Sequence, residues 1–133
     1  MRVKCLVNDG FGFSEKTIKN MGNTQQATML LKVGEVYTVY GQMIYKDVLQ
    51  YLVIGTDENL PTWYPAELFE VVQPLKYYEE YYAYGKDVLI SAIWGFKELV
   101  LQDNYIYDLV EREIDAVRIF LKRKKEIDEF ERA

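Results

Sequence analysis

A chain of 133 residues suffices for one ordinary domain, or for a small barrel with a helical extension that shares its core, and is too short for two independent domains. Half of the residues are hydrophobic and 28% are charged, which excludes the low-hydrophobicity, high-charge signature of disorder. The net charge of −5, from 16 basic and 21 acidic residues, argues against nucleic acid as the partner, and the absence of histidine removes serine–histidine and cysteine–histidine catalysis and imidazole metal sites.

In chain order, Arg2 to Asn8 alternates apolar and polar residues and predicts a half-buried strand with Val3, Cys5 and Val7 inward, ended by the turn-prone Asn8-Asp9-Gly10. Cys5, the single cysteine, is expected to pack as a small apolar residue; it excludes an internal disulfide and fits a reducing compartment. Phe11 to Thr28 carries no period and predicts a loop longer than most connections. Met29 to Tyr40 is strand-like after the Val33-Gly34 turn, Gly41 to Lys46 supplies a hairpin, and Asp47 to Ile54 offers apolar residues to both faces of a strand. Gly55 to Pro61 reads as a turn, Thr62 to Tyr64 as a short strand closed by Pro65, Ala66 to Phe69 as a 3₁₀ turn and Glu70 to Gln73 as a last strand before Pro74.

The period then changes. Tyr77, Tyr78, Tyr81 and Tyr82 recur at helical spacing with Gly85 as a C-terminal cap, while a run of tyrosines is equally β-prone, so that segment stays open between helix and strand. Asp87 predicts the N-cap of a helix to about Leu101, with Leu89, Ile93, Phe96 and Val100 on one stripe. A further turn is expected from Tyr105 to Glu111, and a helix from Ala116 to Phe130 after Asp115. No apolar run approaches the roughly 18 residues needed to span a bilayer, and Met1-Arg2-Val3-Lys4 leads into a strand rather than a signal-peptide core; a cytoplasmic protein that avoids membranes is expected.

Leu31-Lys32-Val33-Gly34-Glu35-Val36-Tyr37-Thr38-Val39-Tyr40, followed by Trp63-Tyr64-Pro65-Ala66-Glu67-Leu68-Phe69-Glu70-Val71-Val72, resembles the Src-homology-3-like barrels found in small bacterial and phage proteins. The resemblance is at the level of fold and covers residues 1–73. It implies a small N-terminal Src-homology-3-like β-barrel over residues 1–73; with the helical stripes that follow, the expectation is an α+β protein in which that barrel packs as one unit against a C-terminal helical segment, residues 74–133. It implies binding rather than catalysis, with the long first loop as one wall of a ligand groove.

No catalytic, cofactor-binding or metal-ligating residues are assigned, and no cofactor is expected. Gly10-Phe11-Gly12 lacks the third glycine of a phosphate loop, and the carboxylate pairs Asp57-Glu58 and Glu79-Glu80 have no positioning motif around them. The aromatic set Tyr37, Tyr40, Tyr45, Tyr51, Trp63 and Tyr64 competes between core packing and recognition. The candidate partner-binding residues are Phe11, Phe13, Tyr45, Asp57, Glu58, Trp63 and Tyr64. The expected function is a non-catalytic protein–protein interaction: an immunity protein, antitoxin or phage-encoded inhibitor that binds a basic protein, tyrosine and carboxylate being the residues such an interface uses. The alternative is a small enzyme or ligand-binding protein with carboxylates in a cleft between barrel and helices. Lys122-Arg123-Lys124-Lys125 is flanked by acids on one helix and reads as a solvated ion-pair face before it reads as a nucleic-acid patch. A homodimer through the tyrosine-rich helical segment is a further expectation.

Overall fold

The alternation expected over Arg2 to Asn8 produces a strand only as far as Cys5, β1 (Arg2–Cys5), with Val3 and Cys5 buried and Val7 half-buried beyond its end. The computed structural model describes residues 1–22, 29–74 and 79–132. β1 lies between β2 (Val36–Thr38) and β6 (Phe69–Gln73), antiparallel to both, with Val3 opposite Tyr37 and Cys5 opposite Phe69. The second sheet is also antiparallel and has five strands in the order β5–β4–β3–β8–β7. These are β3 (Gly41–Tyr45), β4 (Val48–Val53), β5 (Thr62–Pro65), β7 (Tyr81–Tyr84) and β8 (Ile90–Gly95). The fold is mixed α+β, and the two sheets do not close into a barrel.

Several expected elements change. The segment 11–28 is not a bare loop: a 3₁₀ turn at Gly10–Gly12 leads to helix α1 (Glu15–Met21). Ser14 caps α1 by accepting the Thr17 amide at 3.2 Å, and Gly22 ends it at φ 71°, a left-handed conformation glycine adopts without penalty. The remainder of that loop, residues 23–28, lies outside the described residues. The strand expected over Met29 to Tyr40 is confined to β2, and the hairpin expected from Gly41 to Lys46 is there, with Gly41 to Tyr45 as its first strand, β3, paired with β4. Only Lys46 and Asp47 turn the chain, at φ 50° and 62°, the two left-handed positions that a tight hairpin with native twist demands.

The largest correction concerns residues 79–101. Tyr81–Tyr84 is a strand, which decides the open choice for the tyrosine run against the helix; Tyr77 and Tyr78 lie outside the described residues. The helix expected from Asp87 to Leu101 is replaced by β8 and a short helix, α2 (Lys97–Leu101). Asp87 caps a turn instead, accepting the amides of Leu89 and Ile90 at 2.8 and 3.0 Å. The spacing Leu89, Ile93, Phe96, Val100 fits a helix locally. The β-branched Ile90 and Ile93 and Trp94 also suit a pleated surface, and β3 offers them an edge along its full length. Helix α3 (Tyr105–Val110) and helix α4 (Ile114–Arg132) form close to their expected limits.

The five-stranded sheet is packed on both faces at its β4 end. One face sets Met43, Leu52 and Ile93 against Phe96, Leu99, Val100, Tyr105, Ile106, Leu109, Ala116 and Phe120 of the helical layer. The other sets Tyr51, Val53 and Tyr64 against Val3, Cys5, Tyr37, Leu68 and Phe69 of the smaller sheet. That smaller sheet covers the end around β4 and β5. Toward β8 and β7 the same face of the large sheet carries Tyr82, Tyr84 and Trp94, and Tyr82 and Tyr84 are 43% and 77% exposed. Arg123 ties the helical layer together, and Glu131 of α4 reaches the first residues of the chain, its Oε1 2.6 Å from the Met1 ammonium.

Candidate functional site

The residues proposed for partner contact scatter. Phe13 is buried in the smaller core at 7% exposure, and Phe11 beside it stands 67% exposed on the 3₁₀ turn. Tyr64 is buried and donates its hydroxyl to Glu58 Oε1 at 2.8 Å, while Thr62 donates to Glu58 Oε2 at 3.2 Å. Both oxygens of Glu58 thus serve β5. Burial, with the Glu58 hydrogen bond, pushes the Tyr64 phenol well above its ordinary value, so it stays a neutral donor. Asp57 occupies the exposed turn at φ 63°. Glu58 and Tyr64 therefore meet in a bond that serves the fold, while Tyr45 and Trp63 both line a cleft between Met21 of α1, the strands β3 to β5 and helix α3.

A second group of aromatic residues is assembled by the strands that the helical spacing concealed. Tyr82 lies opposite Trp94 across β7 and β8, and their rings stack with centroids 5.4 Å apart and planes 25° from parallel. Tyr84, two residues on and therefore on the same face, meets Tyr82 edge-on at 4.7 Å. The period-two relation of Tyr82 and Tyr84 is the signal that would have found them. It is masked by the equally good helical spacing of Tyr77, Tyr78, Tyr81 and Tyr82.

This ladder of rings ends at a small hollow of about 50 Å³ lined by Trp94, Gln42, Glu79, Glu80 and, from α4, Ile127 and Phe130. Desolvation raises the Glu80 carboxyl above its ordinary value, partly offset by the Met1 ammonium. Glu131 also borders the hollow, but it is taken up by Met1, by Arg2 Nε at 3.5 Å and by Thr38 Oγ1 at 3.2 Å. Its neighbour Glu80 carries the charge that an incoming group would meet. Electron-rich ring faces beside a partly desolvated carboxylate attract a cation, through the ring quadrupole and through simple charge.

Among the described residues, no three histidine, cysteine, aspartate or glutamate side chains are grouped to hold a metal, and no helix is long and apolar enough to cross a membrane. Compared with protein-family models, curated proteins and solved structures, the chain matches none.

Proposed function

We propose that the chain is a non-catalytic interaction protein that binds a basic protein partner through the Tyr84–Tyr82–Trp94 ladder, in the manner of an immunity protein, an antitoxin or a phage-encoded inhibitor. The observation that carries this reading is the exposed aromatic ladder running into a hollow bordered by Glu79 and Glu80. A lysine or arginine of the partner would enter the hollow with its stem on Trp94 and its charge toward Glu80. The rings would supply the apolar contact that interface hot spots draw from tyrosine and tryptophan. The net charge of −5 would speed encounter with a basic surface. The run of short strands β1 to β6, with a 3₁₀ turn at Ala66–Leu68 before the last of them, supports reading a small binding scaffold to which the β7–β8 hairpin is added. A cytoplasmic setting goes with this reading, since Cys5 is unpaired and buried.

The test begins with tagged protein and a lysate of the cell that carries its gene, and continues with the purified partner titrated at low and high salt. The partner should be basic, and binding should weaken with salt. The double substitution Tyr82→Ser, Tyr84→Ser should weaken it about a hundredfold, a loss of about 3 kcal/mol, within the usual range for hot-spot aromatics. Trp63→Phe should leave it unchanged. A partner retained by the double variant, or self-association of the chain through the ladder instead of a second protein, would overturn the proposal.

A further inference from the structure

The cleft between α1, the strands β3 to β5 and α3 has no part in the reading above. It encloses about 450 Å³, within the range of roughly 300–1,000 Å³ seen for pockets that take small molecules. Its walls are mostly apolar, with Met43, Leu52, Trp63, Ile106 and Leu109 prominent, and Met21 closes one side. Flat rings and flexible thioethers suit a planar apolar guest.

Two polar features set this cleft apart from a packing defect. Gln50 lies in its wall at 3% exposure, and its Nε2 donates to Met21 Sδ at 3.6 Å, a weak acceptor for a buried carboxamide. Arg112 stands at the mouth, at φ 58°, in the left-handed position of the turn that ends α3, where the Arg112 amide donates to the Leu109 carbonyl and the Glu113 amide to the Asp108 carbonyl. Its guanidinium donates to the Leu109 carbonyl at 3.4 Å and, among the described residues, forms no ion pair, although Glu111 and Glu113 flank it in sequence. An exposed guanidinium at the mouth of an apolar cleft, with no carboxylate on it among the described residues, is placed to meet an anion.

We infer that this cleft binds a small planar carboxylic acid, its apolar body between Trp63, Met43 and Ile106 and its carboxylate on Arg112. A second oxygen acceptor on the guest would give the Gln50 amide a stronger partner than sulfur. Occupancy of this cleft is independent of the aromatic ladder, which lies on the opposite face of the five-stranded sheet.

The test is calorimetric titration of the full chain with naphthoate and with the neutral naphthalenemethanol. Naphthoate should bind about tenfold more tightly than the alcohol, and Arg112→Gln should remove that difference while leaving the alcohol unchanged. Val110→Trp, at an exposed rim position, should weaken both ligands about tenfold by filling the opening. Arg112→Gly suits the left-handed backbone, so it should melt no lower than the parent chain while losing the preference for naphthoate; this separates loss of the cation from loss of fold. Equal binding of acid and alcohol, binding untouched by Val110→Trp, or no binding of either up to millimolar concentration would overturn the inference. Tyr82→Ser, Tyr84→Ser should leave naphthoate binding intact, so failure of the protein-partner reading and failure of this one are distinguishable.

Discussion

Arg123 of α4 lies side-on against Glu98 of α2, Nε to Oε1 at 2.7 Å and Nη2 to Oε2 at 2.9 Å, with a further bond from Nη1 to Glu126 at 2.9 Å. The two side chains are 15% and 22% exposed, so this pair is less screened than a surface ion pair. The Arg123 hydrogen bonds hold the Glu98 carboxyl below the ordinary carboxylate range. A lowered folded-state value means that Glu98 contributes stability above the unfolded value and loses it as pH falls through the folded one. Glu98→Gln should lower stability by about 1–3 kcal/mol near neutral pH, measured by urea unfolding, and the gap should close on acidification.

Glu80 should behave in the opposite sense. Desolvation raises its carboxyl value, so its protonated form is favoured by folding, and that contribution is lost as pH rises through the folded-state value. Glu80→Gln should therefore melt higher than the parent chain at neutral pH and match it in acid. The same substitution should weaken capture of the basic partner, which would mark Glu80 as a group kept for binding at the expense of stability. A melting temperature unchanged at neutral pH would count against the desolvated placement of this carboxylate.

Gly41 and Gly95 face one another where β3 meets β8. A β-carbon on Gly41 would lie 2.5 Å from Leu99 Cδ2, and one on Gly95 would lie 2.6 Å from the same atom. Gly41→Ala should destabilise by about 1–3 kcal/mol through overpacking. Combining it with Leu99→Val, which withdraws part of the obstructing side chain, should restore part of the loss. Additive effects in a double-mutant cycle would contradict the contact.

Tyr105 is fully buried, with its ring edge-on to Phe96 at 5.7 Å and its hydroxyl donating to the Ala116 carbonyl at 2.8 Å. Tyr105→Phe keeps the ring contact and deletes the bond that joins α3 to α4. A loss of about 1 kcal/mol is expected in chemical denaturation, with the far-ultraviolet circular dichroism unchanged. Burial pushes the phenol well above its ordinary value, so alkaline titration should leave this tyrosine un-ionised until the protein unfolds.

What the sequence discloses divides by whether the cause is local. The alternation around Val3 and Cys5, the proline that closes β5, the 3₁₀ turn before β6 and the span of α4 all depend on neighbours in the chain, and all appear near their expected places. β7 and β8 depend on an edge of β3 far away in sequence, and Leu89, Ile93, Phe96 and Val100 satisfy a helical period while serving a strand, a turn and a short helix. The candidate sites follow the same division. Tyr45 and Trp63, picked out as aromatic candidates, line one cleft that no spacing in the sequence announces, and the stacking of Tyr82 on Trp94 exists only because two strands pair. For Tyr64 and Phe13 the choice between core and recognition falls to the core, because sequence records that a residue is aromatic and not which way it faces.

The grip of Glu131 on Met1, Arg2 and Thr38 bears on the order in which the molecule assembles. The bond to Met1 spans 130 positions, among the longest closures this chain can make. Local hairpins such as β3–β4 can form early, but β1 and β2 meet their acidic anchor only when the last turn of α4 arrives. Until then the smaller sheet has one end unfastened. The last helical turns thus act as a clasp across the β1–β2 edge.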